Sequence, residues 1–280
     1  MKIQKNFQGL PEHTSKQMKV AVLGPEYSYS HLVSIKLFPE QELVLCTKIE
    51  DVFKAIAEKK VEKGVVPIEN MLQGSVRESI LGLFKYKVKI NHAYTAPIHH
   101  CVAGKNHTYI KIASHPQALL QCSQFITNKE VVECASTSRA MELAAENESL
   151  AAIGSKEAAA HYGLPILQEN VEDNHDNVTR FIVISPEETQ VVEKVRTSLL
   201  LTPKDDRPGL LFLLLAPFAA QNINLVKIES LPSGRKMGEY VFYIEIDGNM
   251  HEEKVKSALE FLRNSVDVYP LGSYQIDSLE

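Results

Sequence analysis

Asn177-Val178-Thr179-Arg180-Phe181-Ile182-Val183-Ile184 sets an amide, an alcohol and a guanidinium directly ahead of an apolar, β-branched run. The run from Phe181 has the residue types of a strand held in a core. In an α/β sheet, polar residues at a strand boundary can face a cleft while the residues behind them are fixed by packing. Thr179 and Arg180 are therefore candidates to face a ligand. The alternative is local: a threonine capping nearby backbone and an arginine in a surface ion pair.

The chain around this stretch has 280 residues, 44% of them hydrophobic, enough to bury a substantial core and divide into two or three units. A net charge of −5 with mixed signs leaves no nucleic-acid footprint. No apolar run reaches the roughly 18 to 20 residues of a membrane helix. Cys46, Cys101, Cys122 and Cys134 are widely spaced, without a C-x-x-C pair or metal-ligand spacing, and read as reduced thiols of a cytoplasmic protein. Residues 1–18 are polar and lysine-bearing, lack the apolar centre of a secretory signal, and are expected to form a loose tail.

From Lys19 strand and helix patterns alternate. Val20 to Leu23 reads as a strand ending at Gly24-Pro25, with Ser28 to Ser30 capping a helix through Leu32 and Leu37. Gly64 to Ile68 is a second buried strand running into Glu69-Asn70; Asn70 either binds a carboxylate or hydroxyl, or folds the turn. Residues 87–103 cross to a second lobe. His99 and His100 fall on opposite faces of a strand, so they do not share a metal and read as structural. In the second lobe Ser114-His115-Pro116-Gln117 opens a helix on which Gln117 and Gln121 share a face, and Ser136-Thr137-Ser138 caps another. Hydroxyl-bearing turns thus recur where strands meet helices. The expected architecture is α/β: two lobes, about 19–100 with 176–190 and about 101–175, around a periplasmic-binding-protein-like cleft suited to a small anion.

After Glu193 the order changes to strand (196–201), helix from Pro208, strands 223–228 and 238–247, helix 252–262 and strand 266–271. This is a ferredoxin-like βαββαβ unit over residues 195–280.

The chain also resembles the prephenate dehydratases. The resemblance rests on Gly24-Pro25 with Ser28-Tyr29-Ser30-His31, Val65 to Asn70 with Gly74, Ser114-His115-Pro116-Gln117-Ala118 with Gln121-Cys122, and Ser136-Thr137-Ser138. Ala152-Ile153-Gly154-Ser155, Tyr162-Gly163-Leu164 and Asn177 to Phe181 continue it in order, over nearly the whole chain after residue 18. Arg207 to Leu211, Ile223-Asn224-Leu225 and Glu229-Ser230-Leu231-Pro232 resemble the ACT regulatory domain of that family.

What the resemblance implies is a cofactor-free loss of carbon dioxide and hydroxide from prephenate, residues 19–190 being catalytic. Thr179 would be the hydrogen-bond donor to the departing oxygen, with Arg180 and helix N-termini holding carboxylates. Asn70, Ser114, Gln117, Gln121, Ser28, Ser30, Thr137, Asn177 and Phe181 would complete the substrate site. Gly209, Leu210, Leu211, Asn224, Leu225, Glu229 and Ser230 would bind phenylalanine as effector between paired subunits of a homodimer or homotetramer. Three residues depart from the family pattern: Tyr27 where a small residue is usual, Met71 where a hydroxyl residue is, and Leu231 where an arginine is. Two other readings stand beside this one, an arogenate dehydratase and a non-catalytic amino-acid sensor.

Overall fold

The computed structural model describes residues 17–189, 195–205, 207–232 and 239–279. Of the expected tail, residues 1–16 lie outside that range, as do Gly238 and residues 190–194 between the expected domains.

The first lobe contains β1 (Lys19–Leu23), α1 (Tyr29–Leu37), β2 (Glu42–Cys46), α2 (Ile49–Ala57), β3 (Lys63–Asn70), β4 (Gly74–Ser75), α3 (Arg77–Tyr86) and β5 (Lys89–Pro97). The second has β6 (Cys101–Gly104), β7 (Lys111–Ser114), α4 (Pro116–Gln121), α5 (Ser123–Ile126), β8 (Glu130–Glu133), α6 (Thr137–Glu146), β9 (Leu150–Gly154), α7 (Lys156–His161) and β10 (Ile166–Gln168). β11 (Val178–Ser185) returns to the first lobe, antiparallel between β3 and β5. The C-terminal unit is β12 (Arg196–Pro203), α8 (Leu210–Ala220), β13 (Leu225–Pro232), β14 (Tyr240–Asp247), α9 (Glu253–Leu262) and β15 (Val266–Tyr274), followed by β16 (Ile276–Ser278).

β1 carries Val20, Ala21 and Val22 with no exposure, and β11 is buried from Thr179 onward. Such unbroken apolar runs suit strands covered on both faces. The first sheet runs β16-β5-β11-β3-β1-β2 with β4 on β3, and the second runs β10-β6-β9-β7-β8. The chain crosses between the lobes twice, around residues 98–100 and 169–177.

The C-terminal sheet, ordered β13-β14-β12-β15, has the expected βαββαβ connectivity. Alternation along its strands gives it two apolar faces. Leu199, Leu201, Ile244 and Ile246 pack under α8 and α9. Leu200, Val241, Tyr243 and Tyr274 share a core with Ile68, Ile90 and Ile182 of the first lobe. Leu231 also lies in that shared core, 3% exposed, so the residue that departs from the family pattern is a packing residue here.

Two elements differ from the sequence expectation. β3 continues through Glu69-Asn70 because β11 supplies partners for both residues. Residues 276–278, grouped with the C-terminal unit, instead add β16 to the first-lobe sheet, parallel to β5. A three-residue strand is too short to show a period. Where β15 meets β5, Gly272 has φ +146°, and a Cβ there would stand 2.4 Å from the Ile90 carbonyl oxygen. Both conformation and space exclude a side chain. Gly272→Ala is expected to destabilise the chain by about 2 kcal/mol or more, read as a thermal midpoint lowered by several degrees.

Candidate active site

A cavity of about 590 Å³ lies between the two lobes. Its floor comes from β3 and β11, and the physical reason is a bulge. Thr179 pairs with Asn70 and Arg180 with Glu69, but Phe181 then pairs with Pro67. Ile68 and Glu69 therefore both turn to the back of the sheet, and Pro67 and Asn70 both line the cavity. On β11, ordinary alternation gives Thr179 and Phe181 to the cavity.

Asn70 is held in one orientation. Its Oδ1 accepts from the backbone N–H groups of Leu72 at 3.1 Å and Gln73 at 3.2 Å. Its Nδ2 must then face β11, where it donates to Thr179 Oγ1 at 2.8 Å and Asn177 Oδ1 at 3.0 Å. Asn70 folds the turn, as one of the two sequence alternatives has it, and it also borders the cavity. Because the Thr179 oxygen accepts from Asn70, its hydroxyl hydrogen is left to donate elsewhere.

Three helix N-termini also reach the cavity. Ser28 caps α1 by accepting from His31 N–H, His115 caps α4 through Nδ1 accepting from Gln117 N–H, and Ser136 caps α6 by accepting from Arg139 N–H. Ser30, Gln117 and Thr137 lie in the first turns of these helices and line the cavity. Among the described residues no carboxylate lines it, and Arg139 is its one lysine or arginine. Helix dipoles and unbonded first-turn N–H groups make such a space favourable to anions.

Gln121 also lines the cavity. His100 Nε2 lies 2.9 Å from its Oε1, so the ring donates and the Gln121 Nε2 group is left without a protein partner among the described residues. Burial pushes the His100 imidazole below its usual value, keeping it neutral. Apolar walls come from Leu23, Pro25, Pro67, Ile98 and Phe181.

Several expectations are corrected. Arg180 does not face the cavity. Adjacent to Thr179 on a strand, it points to the opposite face, where Nη1 and Nη2 form a fork on Glu245 of β14 at 2.9 and 2.5 Å. Ser114 is fully buried and donates to the Ile153 carbonyl at 2.7 Å, tying β7 to β9. Asn177 is fully buried behind the cavity and acts on it through Asn70. His100, read from sequence as structural, borders the cavity, whereas its neighbour His99 turns away to Glu172 at 2.8 Å.

Arg139 and Tyr29 were missed because nothing in an arginine on a helix or a tyrosine after a cap marks it as cleft-facing. The convergence of their elements is tertiary. Tyr27, at φ 59°, stacks on His161 of the second lobe at 4.0 Å between ring centroids, a contact across the lobes. Met71 is 51% exposed and outside the cavity.

The expected effector residues lie at both ends of α8 and along β13. Gly209 to Leu211 begin α8 and Asn224-Leu225 follow its end, separated by the helix's 11 residues, or roughly 16 Å. Glu229 and Ser230 lie farther along β13, and Asn224 Nδ2 donates to Asp247 at 2.7 Å. All four cysteines are free. No group of histidine, cysteine or acidic side chains suited to a metal occurs among the described residues. Among those residues no helix is long and apolar enough to cross a membrane.

Fold and site define a class: a two-lobed α/β catalytic domain with an anion-suited cleft, joined to a ferredoxin-like regulatory unit. Residues 20–189 match the family model described as Prephenate dehydratase, and residues 204–264 match that of the ACT domain. The chain is 38% identical over 265 residues to a prephenate dehydratase of Methanocaldococcus jannaschii, covering 90% of this chain and 96% of that protein. It is 32% identical to the arogenate dehydratase/prephenate dehydratase 2 of Arabidopsis thaliana, over 94% of this chain and 74% of that one. The crystal structure of prephenate dehydratase from Arthrobacter aurescens in complex with L-Phe superposes with a TM-score of 0.81 at 26% identity, covering 92% and 90% of the two chains. The chain belongs to the prephenate dehydratase family, lyases of the hydro-lyase type, and carries the ACT domain.

The Arg180–Glu245 pair is buried on both sides, with side-chain exposures of 9% and 1%. Arg180→Ala leaves Glu245 with Arg196 alone as its cationic partner and is expected to cost about 3–5 kcal/mol, measured by denaturant unfolding. Burial pushes the Glu245 carboxyl up, but Arg180 beside it outweighs this, and the net position is below the ordinary 4.5. A lowered folded value means its contribution is complete above pH 4.5 and lost as pH falls through that lowered value. Unfolding stability of the parent should therefore drop below about pH 4.5, more steeply than that of Arg180→Met.

Proposed function

We propose that the cleft converts prephenate to phenylpyruvate with Thr179 as the hydrogen-bond donor to the departing oxygen. The observation that carries this reading is the locked Asn70 amide, which occupies the acceptor side of the Thr179 hydroxyl and directs its hydrogen away from β3. Prephenate carries one carboxylate on its ring and a second at the end of its pyruvyl side chain. Three helix N-termini and Arg139 supply the positive field for them, and Phe181, Pro67 and Ile98 supply apolar contact for the ring.

In the reaction the bond from the ring to its carboxylate breaks and carbon dioxide leaves. The electron pair moves through the ring dienes and expels the C4 oxygen, which takes a proton and leaves as water. Aromatisation drives the step. A threonine hydroxyl is too weak an acid to be a free proton source at neutral pH, so Thr179 acts as a fixed donor or relay. Arg180 has no part in carboxylate binding on this reading, being engaged behind the sheet.

Phenylalanine is the proposed effector; the solved structure of the similar prephenate dehydratase from Arthrobacter aurescens is a complex with L-Phe. The separation of Gly209 and Asn224 along α8 supports an effector site completed by a second copy. β13 is an edge strand with Val226 and Ile228 exposed, and α8 also exposes Leu211 and Phe212; these support a homodimer or a homotetramer built from it. Four free cysteines support a reducing compartment, the cytoplasm.

Thr179→Ala is expected to lower turnover of prephenate by about 10²- to 10⁴-fold with the fold retained, and Thr179→Ser to keep most of it. Phenylpyruvate is followed by its absorbance in base, with circular dichroism as the folding control. Near-normal turnover by Thr179→Ala would overturn the assignment. Arogenate, run in parallel, decides substrate preference, and added phenylalanine is expected to suppress the rate.

A further inference from the structure

Two residues of the C-terminal sheet grip the neighbours of the reacting pair from behind. Thr179 and Asn70 face each other across β11 and β3, and the next pair along is Arg180 and Glu69. On the C-terminal sheet Glu245 of β14 faces Lys227 of β13 in the same manner. These two cross-strand pairs meet. Arg180 forks onto Glu245, Arg180 Nη2 also lies 2.7 Å from Glu69 Oε2, and Lys227 Nζ bonds Glu69 Oε1. The result is a chain of alternating charge, Glu245–Arg180–Glu69–Lys227, whose two ends face each other across β14 and β13, one ion pair's worth of residues from each domain.

We propose that Glu245 and Lys227 are positioning residues for the dehydration, acting on Thr179 and Asn70 through Arg180 and Glu69. The inference rests on the reading of Thr179 as the donor. Arg180 and Glu69 are each one peptide bond from the residue they would set. On β3 the bulge that returns Asn70 to the cavity leaves Glu69 at the back, so a displacement of Glu69 moves the residue that orients the Thr179 hydroxyl. Leu200, Tyr243 and Tyr274 supply the apolar part of this contact between sheets, and at its edges Arg77 and Lys89 donate single hydrogen bonds to the Pro232 and Pro270 carbonyls. Apolar faces tolerate a small slide, whereas a fork of two hydrogen bonds fixes both distance and rotation.

The Glu245 carboxylate is itself held from three sides. Tyr243 donates to it at 2.7 Å, Arg196 lies at 3.1 Å, and Arg180 completes the set. A group so constrained within the C-terminal sheet carries that sheet's position to Arg180. Lys227 stands two residues before Glu229-Ser230 on the same strand, so a shift of β13 reaches Glu69 directly.

The test uses the full-length protein and steady-state turnover of prephenate. Lys227→Met is expected to lower kcat about tenfold while KM stays within about twofold, and Lys227→Arg to restore kcat. Glu245→Gln is expected to lower kcat by up to about 10²-fold, the scale of an ångström-sized misplacement. Lys227→Met introduced into Glu69→Gln is expected to add little, since both act through one contact. Values of kcat within about twofold of the parent in folded Lys227→Met and Glu245→Gln would overturn the proposal, as would equal loss in Lys227→Arg and Lys227→Met. If Glu245→Gln does not fold, the two Lys227 variants decide. Thr179→Ala in the same assay separates the two readings: if it is inactive while the network variants are unaffected, only the positioning role fails.

Discussion

Consecutive residues on a strand point to opposite faces, and along β11 this gives Thr179 to the cleft and Arg180 to the sheet behind it. Much of the molecule is arranged around that division. In front, Asn70 fixes the hydroxyl of Thr179, and Phe181, two residues on, forms part of the apolar wall. Behind, Arg180 enters a buried fork with Glu245 and so fastens the regulatory sheet to the catalytic one. A charge held out of water is costly to leave unpaired, so losing either partner while the other stays buried carries a large penalty.

The cleft has little formal charge of its own. Arg139 is its one lysine or arginine, and no carboxylate lines it among the described residues. The work falls to backbone groups at the starts of α1, α4 and α6, held by the side-chain caps Ser28, His115 and Ser136. Dipoles fixed by folding need no reorganisation when charge shifts during reaction, which suits a step in which one carboxylate becomes neutral carbon dioxide.

The two crossings between lobes are tied by Glu172. Its carboxylate accepts from the His100 backbone N–H at 2.8 Å and lies near His99 and His175 at 2.8 and 3.3 Å. Those hydrogen bonds outweigh the effect of burial and keep the group below the ordinary carboxyl range. Tyr27 adds a contact between the lobes through His161. The lobes, the crossings and the regulatory sheet are thus joined at separate points around the cleft domain, each through named side chains.

The sequence by itself determined the units and most of their elements. Val20 to Leu23, Gly64 to Ile68 and Phe181 to Ile184 are apolar runs that only a covered strand accommodates, and the change of grammar after Glu193 foretold the βαββαβ order. It also marked the helix-opening turns at Ser28, His115 and Ser136, because caps are local chemistry. What it did not settle was which way side chains face. The sequence points Arg180 into the cleft, and it lies behind it; it points Ser114 at a ligand, and Ser114 ties two strands. Direction on a strand depends on register, and register here depends on a bulge opposite Arg180 that forms only when β3 and β11 pair across more than a hundred residues. The partner of Arg180 belongs to a different domain, so only the packing of one sheet on another decided its role.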